Sequence, residues 1–246
     1  MVCNLSSTEA VILAGGFGTR LRETIPGIPK ALVPIKGRPF LFWLLESLQE
    51  QGICRFHLAL GFLAEQIEHA ISESEFRDLT SCWTEEKPLG TGGALWSVQE
   101  KTELSDEIFV LNGDTILDIS LEEVYENHEA NNRDLTVVGA LADAVDRYTP
   151  LSAGRNGELL GFASRASSGG GTQVMDAGLY LLKKELLKDR PSPEREVSLS
   201  GELIPGWMES GFRIGVFATP TRFLDIGTKS SYQNAQTSEL FKDSFG

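Results

Sequence analysis

Five apolar residues, Ala10-Val11-Ile12-Leu13-Ala14, run without a polar interruption into Gly15-Gly16-Phe17-Gly18. A short strand with no polar alternation is buried on both faces, and such strands belong to parallel sheets covered by helices. Glycines at its carboxyl end let the backbone approach a ligand closely and aim N–H groups at phosphate oxygens. The turn lacks the third glycine of a dinucleotide fingerprint and the Gly-Lys-Ser/Thr of a Walker A loop. Taken by themselves, the glycines are equally compatible with a tight structural turn.

The segments that follow extend the same architecture. Residues 39–51 predict a helix, with Pro39 near its start and Gly52 just past its end. Residues 55–60 predict a strand, 62–71 an amphipathic helix, 79–83 a strand, 92–101 a helix, and 108–112 a strand ending at Gly113-Asp114. Strands alternating with helices over short links predict an α/β fold: a mostly parallel central sheet with helices on both faces. The second half predicts strands at 135–141, 158–163, 174–182 and 212–218, and helices at 200–209 and 228–242. Residues 164–173 form a glycine- and serine-rich loop, which composition alone reads as a plain surface hairpin connection or as a functional one. With no internal repeat and no linker, residues 1–246 read as one domain.

Composition narrows the function. A chain of 246 residues, 41% hydrophobic and 23% charged, can bury a core of ordinary globular type without staples. Cys3, Cys54 and Cys82 are odd in number and widely spaced, so free thiols in a reducing, cytoplasmic setting are expected. A net charge of −13 supplies no basic field to displace counterions, which argues against nucleic acid as a partner. A few local cations could still hold the phosphates of a nucleotide. The N-terminus lacks a charged region followed by a long apolar run, so no signal peptide is expected. The longest apolar stretch, Phe40 to Leu45, is too short to span a bilayer, so no membrane partner is expected. A homo-oligomer is left open.

Two cations flank the glycine turn. Arg20 lies within it, and Lys30 follows in Pro29-Lys30-Ala31-Leu32-Val33-Pro34. Arginine offers a planar fork to phosphate and lysine a point charge. Two aspartates lie beside glycines: Asp114 in Phe109-Val110-Leu111-Asn112-Gly113-Asp114 and Asp225 in Phe223-Leu224-Asp225-Ile226-Gly227-Thr228. Asp114 ends an apolar strand, at the edge where open α/β sheets bind ligands. Mg²⁺ prefers a few carboxylates together with substrate phosphate oxygens, and two converging aspartates would suit it, a turn or cap role being the alternative for each. In Glu85-Glu86-Lys87-Pro88-Leu89-Gly90-Thr91-Gly92-Gly93-Ala94, a Gly-Thr-Gly-Gly helix start predicts free N–H groups, unless Thr91 merely caps the helix.

The segment LAGGFGTRLRETIPGIPKALVPIKGRPFL resembles the signature of the sugar-1-phosphate nucleotidyltransferase family, the enzymes that make nucleotide sugars, and the likeness extends over residues 10 to about 230. The resemblance implies a Rossmann-like nucleotidyltransferase fold of GT-A type. It implies that Leu13, Ala14, Gly15, Gly16, Gly18 and Thr19 hold the nucleotide, and that Arg20 and Lys30 act catalytically on the phosphates around the scissile bond. The segment EKPLGTGGA resembles the family's base- and ribose-binding stretch, which assigns Gly90 and Thr91, together with Asn112, to the nucleotide. NGD and DIGT resemble its metal-ligand motifs, which assigns Mg²⁺ to Asp114 and Asp225.

On the sugar-phosphate side the resemblance implies Gly113, Arg165, Asp176 and Gly178. Ser164-Arg165 stand where relatives carry Glu-Lys, and Asp176-Ala177-Gly178-Leu179-Tyr180 replaces Asn-Ala-Gly-Ile-Tyr. Arg165 can grip a phosphate bidentately, or it sits on a solvated loop. Ser164 cannot replace a carboxylate acceptor, a loss that Asp176 can make good.

The nucleotide-binding half then spans about 9–130 and the sugar-phosphate-binding half about 131–228. The implied reaction joins an NTP, GTP favoured, to a sugar 1-phosphate, with release of pyrophosphate. LGTGGA, FVLNGDT, DAGLY and the short length most resemble the compact D-glycero-D-manno-heptose 1-phosphate guanylyltransferases. Mannose 1-phosphate guanylyltransferases come next, then hexose 1-phosphate uridylyl- or thymidylyltransferases. A non-catalytic regulatory subunit that binds nucleotide sugars is the alternative from a different class; the presence of Arg20, Lys30 and Asp114 favours catalysis. The broken glycine fingerprint argues against an NAD-dependent oxidoreductase.

Overall fold

A computed structural model describes residues 5–143, 148–162, 172–188, 195–220 and 223–241. In chain order the strands are β1 (Glu9–Leu13), β2 (Pro34–Ile35), β3 (Arg38–Pro39), β4 (Phe56–Leu60), β5 (Thr80–Thr84), β6 (Glu107–Asn112) and β7 (Thr115–Leu117). They continue with β8 (Leu135–Asp143), β9 (Leu151–Ala153), β10 (Leu159–Phe162), β11 (Thr172–Lys183), β12 (Ile214–Thr219) and β13 (Phe223–Asp225). The helices are α1 (Thr19–Arg22), α2 (Phe40–Glu50), α3 (Ala64–Ser72), α4 (Gly90–Lys101), α5 (Leu121–Ala130), α6 (Ile204–Glu209) and α7 (Lys229–Thr237).

The main sheet has seven strands in the order β12-β8-β11-β6-β1-β4-β5. Strands β5, β4, β1 and β6 pair in parallel, as do β8 and β12. Only β11 runs against its neighbours, pairing antiparallel with both β6 and β8. The expected mostly parallel sheet is therefore present.

Side-chain alternation divides the core between the two sheet faces. Ile12, Phe109, Leu111, Val138, Leu179 and Leu181 join one apolar cluster, with α2, α3, α5 and α7 supplying its outer layer. Their immediate neighbours Val11, Ile108, Val110, Val137, Tyr180 and Leu182 join the other, covered by α4 and α6. Each such aliphatic or aromatic side chain contributes about 1.5–3 kcal/mol on burial, so both layers are needed to hold the sheet. Buried indoles are satisfied: Trp43 Nε1 donates to the Ile35 carbonyl and Trp96 Nε1 to that of Leu187, each at 3.0 Å.

Helix α2 follows Pro39, and Gly52 lies beyond its end with φ 98°. The helix predicted at 200–209 is present, its first part a five-residue π-helical turn, Leu199–Leu203, that runs into α6. The strand predicted at 158–163 becomes β10 and pairs with β9 outside the main sheet. Helix α5 was not predicted: Ser120 caps it by accepting from the Glu123 N–H at 3.2 Å, and its buried positions are Leu121, Val124 and His128. The predicted loop 164–173 lies almost wholly outside the described residues. No helix among the described residues is long and apolar enough to cross a membrane.

Candidate active site

Strands β1 and β6 lie side by side in parallel with Leu13 opposite Asn112, so the glycine turn and Gly113 leave the same sheet edge together. The Gly113 N–H donates to the Leu13 carbonyl at 2.9 Å, and the Gly15 carbonyl accepts from Phe62 at 3.3 Å. Among the described residues, none accepts from the backbone N–H groups of Gly15, Gly16, Phe17 and Gly18. These donors are available to a ligand, in keeping with an anion-binding turn. Arg22 is drawn away, its guanidinium 4.5 Å from the centre of the Phe62 ring. Arg20 instead faces the cavity that opens below the turn.

Two cavities of about 440 and 450 Å³ meet at this edge. The first is lined by Leu13, Ala14, Gly15, Gly16, Gly90 and Gly113, among others. The second is lined by Thr19, Arg20, Asp176, Gly178, Tyr180 and Asp225, among others. Gly18, Lys30, Thr91, Asn112 and Asp114 line both and form the common wall. Every site residue expected from the sequence therefore borders one cavity or both, except Arg165, which lies outside the described residues.

A two-stranded ribbon brings the aspartates together. Strands β7 and β13 pair antiparallel with Asp225 opposite Thr115, and the Ile226 N–H donates to the Asp114 carbonyl at 3.0 Å. The Asp114 carboxylate pairs with the Lys30 ammonium and accepts from the Thr115 hydroxyl at 3.1 Å. Asp225 is buried and accepts from the Gly227 N–H at 2.7 Å, the Ser231 hydroxyl at 3.3 Å and the Tyr148 hydroxyl. These bonds orient a pair of oxygen ligands on one cavity wall, a donor set that fits a hard divalent cation such as Mg²⁺.

The start of α4 differs from the free N–H groups predicted for it. The N–H groups of Gly92 and Gly93 donate to the Val197 carbonyl at 2.8 and 3.4 Å. Thr91 is not a cap; its hydroxyl accepts from the Leu199 N–H at 2.8 Å. This segment packs so closely that a Cβ at Gly90, whose φ is 72°, would lie 2.6 Å from the Val197 carbonyl oxygen. The glycines of the Gly-Thr-Gly-Gly run thus fit the helix against residues 197–199 as well as bordering the cavity. Gly178, with φ 69°, plays the same part on the other side: a Cβ there would collide with the Asn112 amide in the common wall.

Asp176 is tied to this turn. Its two oxygens accept from the Gly178 N–H at 2.9 Å and the Tyr180 hydroxyl at 2.8 Å. Burial pushes its carboxyl above the usual range, against the pull of those two donors. Glu85 borders the first cavity; burial raises it too, although it accepts from the Leu89 N–H at 3.2 Å.

Sequence reasoning missed Tyr148, Ser198, Ser200 and Phe223 in the second cavity and Glu196 in the first. Tyr148, Glu196, Ser198 and Ser200 are single polar or aromatic residues outside any glycine motif, with no local signal, whereas Phe223 opened a segment already singled out for Asp225. Glu85 stood within a segment already singled out.

Residues 9–240 match the profile described as nucleotidyl transferase. Over 225 residues the chain is 31% identical to the D-glycero-alpha-D-manno-heptose 1-phosphate guanylyltransferase of Campylobacter jejuni, covering 91% of this chain and 96% of that one. It is 28% identical to the enzyme of the same name from Aneurinibacillus thermoaerophilus, covering 93% of this chain and 96% of that one. The crystal structure of HddC from Yersinia pseudotuberculosis complexed with GMP-PN superposes with a TM-score of 0.81 at 30% identity, covering 93% of this chain and 98% of that one.

Proposed function

Because the chain belongs to the nucleotidyl transferase family, we propose that it condenses GTP with D-glycero-D-manno-heptose 1-phosphate to give the GDP-sugar and pyrophosphate. The observation that carries this reading is the pair of cavities with one common wall. A nucleotide in the first and a sugar phosphate in the second would meet at Gly18, Lys30, Thr91, Asn112 and Asp114. Guanine as the base and this heptose as the sugar rest on the named relatives and on the GMP-PN held by HddC.

A phosphate oxygen of the sugar 1-phosphate attacks the α-phosphorus in line. One P–O bond forms as the bond to the β-phosphate oxygen breaks, and pyrophosphate leaves with the electron pair. The nucleophile is already anionic, so no general base is needed, and no residue becomes covalently attached. Catalysis is then positioning and charge stabilisation. The N–H groups of the Gly15–Gly18 turn cradle the nucleotide phosphates, while Leu13, Ala14, Gly90 and Asn112 frame the nucleoside. Arg20 and Lys30 stabilise the leaving pyrophosphate. Asp176 and Gly178 border the sugar phosphate and Arg165 holds its phosphate, while Gly113, assigned to that side by the sequence, lines the nucleotide cavity. Asp114 and Asp225 would hold Mg²⁺, which when bound neutralises charge on the phosphate oxygens. Residues 9–130 supply the nucleotide side and 131–228 the sugar side of a single domain. The setting is cytoplasmic, with neither nucleic acid nor membrane as partner.

Pyrophosphate release measured over four NTPs and several sugar 1-phosphates tests this. Turnover should be highest with GTP and the heptose 1-phosphate. A maximum with mannose 1-phosphate would move the chain to the mannose branch. No release with any pair would make it a non-catalytic binding subunit.

A further inference from the structure

A second group of metal-binding side chains lies at the opposite end of β6 from Asn112 and Asp114. Glu107 opens that strand, and His128 and Glu129 close α5. One ligand atom from each lies within 4.8 Å of the others. The imidazole is the informative member. His128 is fully buried, and its Nε2 has no hydrogen-bond partner among the described residues. The nearest Glu107 oxygen is 3.7 Å away, too far for a hydrogen bond.

The other ring nitrogen is engaged: Nδ1 lies 2.9 Å from the hydroxyl of buried Thr136 on β8. With Nδ1–H donating to Thr136, the Nε2 lone pair faces the two carboxyls. A metal-bound histidine has this arrangement, one nitrogen on the ion and the other anchored to an oxygen acceptor.

Without a cation, Glu107 and Glu129 meet only through a shared proton, Tyr125 also bonds Glu107, and the His128 Nε2 lone pair still has no partner, which costs free energy in a buried place. The neighbouring positive groups make their close bonds elsewhere, although Lys183 still attracts the Glu107 carboxylate. Lys183, opposite Glu107 in the β6–β11 register, lies 3.8 Å from Asp134. The Arg133 guanidinium donates to Asn127 at 2.8 Å and to the Gly157 carbonyl at 3.4 Å.

We propose that Glu107, His128 and Glu129 form a binding site for a divalent transition-metal ion of the Zn²⁺ class, separate from the carboxylate pair of the active site. One imidazole nitrogen and two carboxylate oxygens suit Zn²⁺, with water in the fourth position, and the nitrogen disfavours Mg²⁺. Glu129 is exposed, so the ion has a path from solvent. Bound there, it ties the end of α5 to β6, and through Thr136 to β8.

The test is Zn²⁺ binding to the full chain in excess Mg²⁺, followed by competition with a fluorescent chelator and by thermal melting. The wild type should bind one Zn²⁺ with micromolar or tighter affinity. At a hundredfold excess over Kd its Tm should rise on the order of 5–10 °C. Glu129→Gln, at an exposed position that leaves the fold alone, should weaken binding at least tenfold and abolish most of the Tm rise. Its pyrophosphate release should stay unchanged. Glu107→Gln should weaken binding likewise. The proposal is overturned if the wild type binds no Zn²⁺ in excess Mg²⁺, or if both variants bind it as tightly as the wild type, since the ion is then held elsewhere.

Discussion

Asp225→Asn separates the structural bonds of this carboxylate from its proposed part in holding Mg²⁺. It accepts from the Gly227 N–H, the Ser231 hydroxyl and the Tyr148 hydroxyl, and is only 7% exposed. An asparagine can turn its amide oxygen toward Gly227 and Ser231. Its NH₂ then faces the Tyr148 oxygen, which can rotate to accept. What is lost is the charge on those bonds. Hydrogen bonds to charged groups contribute about 1.5–3 kcal/mol against about 1 kcal/mol for neutral pairs, so the cost to stability is about 2 kcal/mol. For a chain of this size that lowers Tm by about 4–8 °C and leaves the protein folded at 25 °C.

Turnover should fall much further. Removing one of two charged metal ligands is expected to cost at least about a hundredfold, or about 2.7 kcal/mol in the barrier. Pyrophosphate release at 25 °C, with melting curves recorded alongside, distinguishes the two effects. EDTA should stop the wild type and Mg²⁺ restore it. Turnover within twofold of wild type at saturating Mg²⁺, beside a lowered Tm, would reduce Asp225 to a brace for the Gly227 turn. Asp114→Asn should lose activity to the same extent, and full activity there would remove Asp114 from the metal site.

Lys30→Ala should lower kcat at least about tenfold, as the loss of a charged phosphate contact does, with little change in KM for the sugar phosphate; unchanged steady-state kinetics would return Lys30 to a structural pairing with Asp114. Arg165→Ala should raise KM for the sugar 1-phosphate by about tenfold and leave KM for the NTP alone, and equal small changes in both would favour a solvated loop. Gly178→Ala should lower stability by about 1–2 kcal/mol from left-handed strain alone, before the displacement of Asn112, and an unshifted melting curve would contradict that geometry. His57 makes stability depend on pH. Burial lowers its pKa, and its Nδ1 accepts from the Trp83 indole N–H at 3.2 Å, so a proton there would set two donors face to face. The unfolded chain then binds more protons, and stability should decline as pH falls below about 6.5, in urea titrations from pH 8 to 5. Trp83→Phe should move the His57 titration upward by NMR; an unmoved titration would remove Trp83 as a cause.

The parts of this architecture that could be read from the chain are those where one physical signal dominates. β1 and β6 each carry an uninterrupted apolar run, residues 10–13 and 108–111, with a glycine two residues beyond it, so both their burial and their ligand edge were evident. α5 escaped because one of its three buried positions is His128, which breaks the apolar periodicity, although Ser120 and Glu123 marked its start. β7 and β13 are three residues each, too short for an alternation pattern to register. The residues of the Gly-Thr-Gly-Gly run were found, but only tertiary structure reveals that Val197 already accepts from Gly92 and Gly93. Tyr148 and Ser198 reach the cavity through long-range chain packing, which leaves no mark on neighbouring residues.

The ribbon of β7 and β13 also sets an order in time. A chain made from its N-terminus exposes the glycine turn, Lys30 and Asp114 early, but Asp225 only after β8 to β12 have been synthesised. Long-range pairings of this kind form late, because the intervening chain must first be ordered. Throughout that interval Asp114 can pair with Lys30, but the Asp225 carboxylate does not yet exist. With the roles proposed for the glycine turn and the two aspartates, a nascent chain would own every N–H of the turn and still be unable to turn over until the last strand closes onto β7.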